Sequence, residues 1–183
     1  MLCLARCTRT DRYPRVLKGG IYLTLAASLL LQLYYFSEYP DIVANHFGSG
    51  GMPNGWMSKM ANLLTSMAIA IFNSAIFLSI PYILKNVPLK YISFPKRDYW
   101  LSPERKQSSI IVMSNWMMFF GLVTNIFLIS VFHLVYVANQ GSPPKLNENN
   151  IFILMSVYLV ILVTWLIALF RKFNIKETGD NQE

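Results

Sequence analysis

The stretch IFILMSVYLVILVTWLIALF, residues 151–170, contains no Lys, Arg, Asp, Glu or His. A helix rises about 1.5 Å per residue, so a block of this size is about 30 Å long, the thickness of a bilayer's hydrocarbon core. Three more such blocks precede it: about 19–36 (GGIYLTLAASLLLQLYYF), about 61–84 (ANLLTSMAIAIFNSAIFLSIPYIL), and a third within 109–137. Of the ionisable Asp, Glu, His, Lys and Arg residues, only His133 lies inside any block. The cost of placing charge in hydrocarbon enforces that segregation. The chain of 183 residues is 54% hydrophobic and 14% charged, with a positive mean hydropathy, too apolar for an ordinary soluble domain. The expectation is an all-α, polytopic membrane protein with four transmembrane helices in one membrane domain over residues 1–183.

Charge orients the spans. Five basic residues precede the first block (Arg6, Arg9, Arg12, Arg15, Lys18), and one lies in the first loop (Lys59). Six lie in the second loop, one in the third (Lys145), and three follow the last block. This alternation is the positive-inside pattern for an even number of spans. It puts both termini, the tails 1–18 and 171–183, and the basic loop 85–108 in the cytoplasm, and loop 38–60 outside. A multi-pass membrane protein follows, with the lipid bilayer as its first partner. The formal charge of +7 needs no nucleic acid, because the basic residues sit near span ends, where anionic headgroups attract them. The first block lacks a small-residue cleavage site and reads as a retained span. Cys3 and Cys7 fall on the reducing side and too near the start of the chain to form a structural framework, so they read as reduced bystanders, with acylation a minor alternative.

In the second loop, Ser102, Pro103 and Glu104 supply a cap, a first-turn proline and a favourable first-turn charge, so the third helix is expected to begin near Pro103. Tyr91, Phe94, Tyr99 and Trp100, interleaved with Lys90, Lys96, Arg97 and Arg105, suit a headgroup-level belt. Within the spans, Thr24, Ser28 and Gln32 recur every four residues, as do Ser66, Ala70 and Ser74. Ser114, Gly121 and Asn125 share nearly one helical face. Small and polar stripes of this kind let membrane helices approach closely, so they are expected to face inward.

The external loop carries the candidate chemistry. HFGSGGMPNGWMSK, residues 46–59, holds one of the two histidines and four of the nine glycines. It lacks the spacing of a phosphate loop. Asn54-Gly55 signals a turn, Pro53 stiffens the approach, Trp56 suits the interface, and Ser58 is placed to cap the second helix. The loop's backbone amides offer a site for an anion or a peptide end. His133 is expected in the last outer turns of the third helix, on the same side as His46, Glu38 and Asp41. Two imidazoles and two carboxylates there form an alternative set of ligands for zinc or another divalent metal. The spacing fits no compact metal motif, and nothing resembles a Ser-His-Asp set.

YPDIVANHFGSGGMPNGWMSK, through Pro40, His46, Phe47, Gly51, Pro53, Gly55, Ser58 and Lys59, resembles the signature of a bacterial membrane-protein domain of unknown function. That domain begins the SdpI-type toxin-immunity and signalling proteins. PKRDYWLSPERK (95–106) resembles a segment that follows the second span in other members. The resemblance implies a cytoplasmic-membrane location and an extracytoplasmic peptide or small-ligand contact at the first loop. The site expected from residues and resemblance together is His46, Phe47, Gly50, Gly51, Pro53, Asn54, Gly55 and Lys59. The leading expectation is a non-enzymatic sensor or immunity-like binding protein with no cofactor. A homo-oligomer is compatible with it. A membrane-embedded metal-dependent enzyme or metal sensor is the alternative, and a small-solute transporter comes third.

Overall fold

A computed structural model describes residues 2–88, 91 and 96–174, with side chains from Pro14 onward. The chain runs α1 (Leu2–Glu38), β1 (Ile42–Phe47), a 3-10 turn (Ser49–Gly51), β2 (Pro53–Ser58), α2 (Lys59–Asn86), the short α3 (Arg97–Trp100), α4 (Lys106–Asn139) and α5 (Glu148–Phe173). Four helical segments are long and apolar enough to cross a membrane: Pro14–Glu38, Lys59–Asn86, Lys106–Asn139 and Glu148–Phe173. Each contains one of the four charge-free blocks and extends beyond it, because a helix need not stop where hydrocarbon does. The fold is mostly helical, as the block pattern requires. The addition to an all-α expectation is a two-stranded antiparallel hairpin between α1 and α2.

Helix starts follow local chemistry, with one correction. Ser58 caps α2, its Oγ accepting from the Ala61 N–H at 3.2 Å, and Asn147 caps α5, its Oδ1 accepting from the Asn150 N–H at 3.2 Å. The third span, however, starts at Lys106 rather than near Pro103. Residues 103–105 form a turn in which the Ser102 carbonyl accepts from the Arg105 and Lys106 amides at 3.0 and 2.9 Å. The proposed aromatic belt is only partly among the described residues. Trp100, within it, is pinned rather than free: its indole N–H donates to the Phe173 carbonyl at 2.8 Å. Arg105 lies 4.0 Å over the Tyr99 ring. Phe94, Lys90 and the Cys3 and Cys7 side chains lie outside the described residues.

The helices pack inside out relative to a water-soluble bundle. α1, α2 and α4 pack on one another, and the residues they bury include Ser28, Gln32, Ser66, Ser74, Ser109, Ser114 and Asn125. Leu23 and Phe72 face outward, 71% and 69% exposed. Lipid tails are as apolar as Leu, so helices in a bilayer gain nothing by hiding it. Gln32, Ser66, Ser74 and Asn125 pair through their side chains. The buried Ser28, Ser109 and Ser114 hydroxyls, in contrast, have no partner among the described residues and act as small side chains that let the helices approach. All the stripes expected to face inward do so, with Thr24 half-buried. Asn125 ties three helices together: its Nδ2 donates to Thr24 Oγ1 (3.1 Å) and Ser74 Oγ (3.0 Å), and its Oδ1 accepts from Asn73 Nδ2 (2.8 Å). Ser66 Oγ donates to Gln32 Oε1 at 2.8 Å. Gly121 receives Phe77, whose ring carbon would lie 2.3 Å from any added Cβ, so this close approach needs glycine.

α5 is attached differently. Its aromatic side chains Tyr158, Trp165 and Phe173, spaced at about two turns, meet α4 and the Trp100 segment. Tyr158 stacks on Phe127 at 4.2 Å and Trp165 on Phe120 at 4.7 Å, while the Trp165 indole donates to the Trp116 carbonyl at 3.2 Å. α5 is thus stitched from Tyr158 onward, and a cleft lies between α4 and its residues 150–157.

Candidate functional site

The hairpin sits at the end of the bundle where α1 finishes and α2 begins. Its inner strand supplies a plug: Val43 and Ala44 are fully buried, and Val43 packs with Tyr35 and Tyr39 against Leu31 and Tyr136. Tyr35 stacks on Tyr136 at 4.3 Å. Burial in this plug pushes the Tyr39 phenol above its ordinary range, against a hydrogen bond to Asn62 that acts the other way.

One long-range side chain locks the strand. Asn139, the last residue of α4, accepts the Ala44 N–H on its Oδ1 and donates its Nδ2 to the Ala44 carbonyl, both at 2.8 Å. A primary amide presents a donor and an acceptor side by side, as a neighbouring strand would. Asn139 therefore closes the outer edge of β1. The register pairs Ile42 with Ser58, Val43 with Met57 and Ala44 with Trp56, and the Lys59 N–H donates to the Asp41 carbonyl at 2.9 Å. Bonded and non-bonded pairs alternate along an antiparallel ladder. Asp41/Lys59 and Val43/Met57 are thus the bonded pairs, and the backbone groups of Trp56, like those of Ala44, point away from the partner strand. Ala44 meets Asn139. Trp56 faces the open edge of β2, with its side chain 51% exposed.

The sequence reading placed the turn at Asn54-Gly55, and the structure corrects this. Both residues lie within β2, and the reversal is made by Gly48 to Met52, where the Gly48 N–H donates to the Met52 carbonyl at 2.8 Å. Gly55 instead pairs with His46 across the strands, where an added Cβ would stand 2.8 Å from the His46 Cβ. Positive φ occurs at Gly50 (76°) and Gly51 (69°), a conformation glycine adopts without steric cost. The tip is not an empty anion cradle. The Gly50 N–H donates to Glu148 Oε1 at 2.6 Å, and the Gly51 carbonyl accepts from the Leu146 N–H at 2.9 Å. Gly51 meets the Leu146 backbone so closely that an added Cβ would lie 2.0 Å from its carbonyl oxygen. The tip is thereby docked on the α4–α5 connection, and Phe47 lines a cleft of about 560 Å³ there with Leu146, Ile151 and Phe152.

The remaining expected site residues divide by surroundings. His46 is exposed, and its Nδ1 contacts Asn54 Oδ1 across the hairpin. Pro53 pairs with Phe47. Lys59 is engaged: its Nζ lies 2.9 Å from Asp41 Oδ1 and 5.7 Å from the centre of the Phe36 ring. The hydrogen bond and charge of Lys59 hold the Asp41 carboxyl below its ordinary range. His133 is bonded through Nδ1 to the Tyr35 hydroxyl at 3.1 Å. Glu38 is exposed at the end of α1.

The metal set His46, His133, Glu38 and Asp41 is therefore not assembled. Asp41 is held by Lys59, His46 by Asn54 and His133 by Tyr35. Among the described residues no three His, Cys, Asp or Glu side chains gather as a metal site. Sequence reasoning missed Asn139, Leu146 and Glu148, which hold the hairpin in place. Only Glu148 carried a local signal, an acidic residue in the first turn of a helix.

A family model supplies an outside comparison. The model of a domain of unknown function, DUF1648, matches residues 23–71. The matched segment runs from α1 through the whole hairpin into α2, so it contains the plug, the tip and all eight expected ligand-site residues. It stops short of residues 95–106. No curated protein and no solved structure matches this chain.

Proposed function

We propose that this is a non-enzymatic membrane protein that binds an extended peptide on the extracytoplasmic side, along the free edge of β2. The observation that carries the reading is the asymmetry of the hairpin. One edge is occupied by Asn139, while the other offers the Trp56 N–H and C=O beside His46, Asn54 and the Trp56 ring. Exposed strand edges recruit a further strand, with backbone bonds for affinity and neighbouring side chains for selection. A rigidly docked hairpin suits that role, since little ordering remains to be done on binding. The outer location rests on the distribution of basic residues. The resemblance to the domain of the SdpI-type proteins favours a peptide over other ligands, because toxin immunity involves a secreted peptide.

The test is selection of linear peptides from a display library against the full chain in nanodiscs. Trp56→Pro removes an outward N–H without touching a β1–β2 bond, so selected peptides should bind at least about tenfold more weakly to it than to Trp56→Phe. His46→Ala and paired changes at Gly50 and Gly51 should also lose binding while leaving membrane insertion intact. Failure of the wild-type chain to select any peptide, or equal binding by Trp56→Pro, would overturn the reading.

A further inference from the structure

Between α1, α4 and the first half of α5 lies a cleft of about 760 Å³, open on one side. On α5 it is lined by residues 150–157, the stretch that precedes the Tyr158 and Trp165 contacts with α4. Its walls are apolar, with Leu31 on α1, Leu134 on α4, and Ile153 and Val157 on α5. Tyr35, His133 and Asn150 line its hairpin end, and Ser130, nearly one turn deeper on α4, gives its hydroxyl proton to the Ile126 carbonyl. The wedge is thus oily toward the bilayer centre and polar toward the rim, the same gradient as a lipid standing in that leaflet.

We propose that the cleft holds one glycerophospholipid of the leaflet on the hairpin side, with an acyl chain between α4 and α5 and its glycerol-ester region at His133. Position fits. His133 lies six residues before the end of α4, about 9 Å below it at 1.5 Å per residue, near the boundary between hydrocarbon and headgroups. Chemistry fits as well. The Tyr35 hydroxyl lies 3.1 Å from His133 Nδ1; in the tautomer that accepts from this hydroxyl, Nε2 carries the proton and is a donor for an ester or phosphate oxygen. Asn150 adds a second polar side chain at the mouth. A packed interior tolerates few voids larger than a water molecule, and acyl chains are the medium onto which this cleft opens. The inference is independent of the peptide reading.

The experiment uses the full chain in nanodiscs of phosphatidylethanolamine and phosphatidylglycerol, followed by detergent extraction and native mass spectrometry. The wild type should retain one phospholipid per chain. Val157→Trp, which fills the cleft, should retain none. His133→Ala should lower retention several-fold, and His133→Gln, which keeps an N–H donor, should restore most of it. A wild type without retained lipid, equal retention by Val157→Trp, or His133→Ala behaving as wild type would each overturn the proposal. So would a dimer cross-linked through Ile153→Cys in membranes, because a second copy would then fill the cleft.

Discussion

The interior of the α1, α2 and α4 bundle and the hairpin above it face the same task, the pairing of polar groups, in opposite media. Inside the bundle the pairs are side chain to side chain, with Asn125 bonded to Thr24, Asn73 and Ser74, and Ser66 bonded to Gln32. At the hairpin the decisive pairs involve backbone, with Ala44 bonded to Asn139, Gly50 to Glu148 and Gly51 to Leu146. Helices in lipid already satisfy their own backbone, so only side chains are left to tie them together. A short two-stranded hairpin is marginal by itself in water and needs its exposed peptide groups answered from elsewhere. The difference predicts that substitutions in the two regions fail in different ways.

The largest effect is expected at Gly51. Gly51→Ala must accept both a positive φ and a Cβ inside the Leu146 carbonyl, and should destabilise the docked hairpin by more than about 2 kcal/mol. Hydrogen exchange would then show amides of residues 42–58 losing protection while the span amides keep theirs. Simultaneous loss in both regions would mean that cap and bundle form one cooperative unit.

Asn139→Ala leaves a buried N–H and C=O on Ala44 without their partner, a cost of about 1–3 kcal/mol. The same exchange measurement should show β1 opening, and Asn139→Gln should fail to rescue because its longer side chain misplaces the amide. Asn125→Ala acts on the other side of the comparison. Polar bonds between membrane helices average about 0.6 kcal/mol each, so losing those to three partners should cost about 2 kcal/mol. Unfolding in mixed micelles should register that loss with hairpin protection unchanged.

The smallest effect is electrostatic and confined to the cap. Asp41 has a folded-state pKa lowered by Lys59, so its contribution is complete above the unfolded value near 3.9 and disappears as pH falls through the lower folded value. Both side chains are solvent-exposed enough for screening to keep the effect slight. Asp41→Asn should abolish this acid dependence in a pH series of hairpin protection, and a pH profile matching wild type would assign the dependence to another group.

Much of the bundle was legible because a helix in lipid must carry its own signature. Charge-free blocks mark the spans, and recurrences of four such as Ser66, Ala70 and Ser74 mark the buried face, whatever the neighbours are. The cap was legible only in outline. Asn54-Gly55 has the composition of a turn, yet Gly55 is in a strand because His46 faces it across the register. The histidines looked like partners because both were expected near one rim, whereas each is bonded to a different neighbour.

From the order of residues alone follow four oily helices, their inward stripes and the Ser58 cap, because backbone hydrogen bonding within a helix and the cost of charge in hydrocarbon act locally. Tertiary structure decided which strand edge is closed, where the tip docks and where α5 parts from α4. Those outcomes depend on contacts such as Ala44 with Asn139 and Gly50 with Glu148, between residues almost a hundred positions apart. No local pattern encodes a hydrogen bond whose donor and acceptor meet only after the helices have assembled.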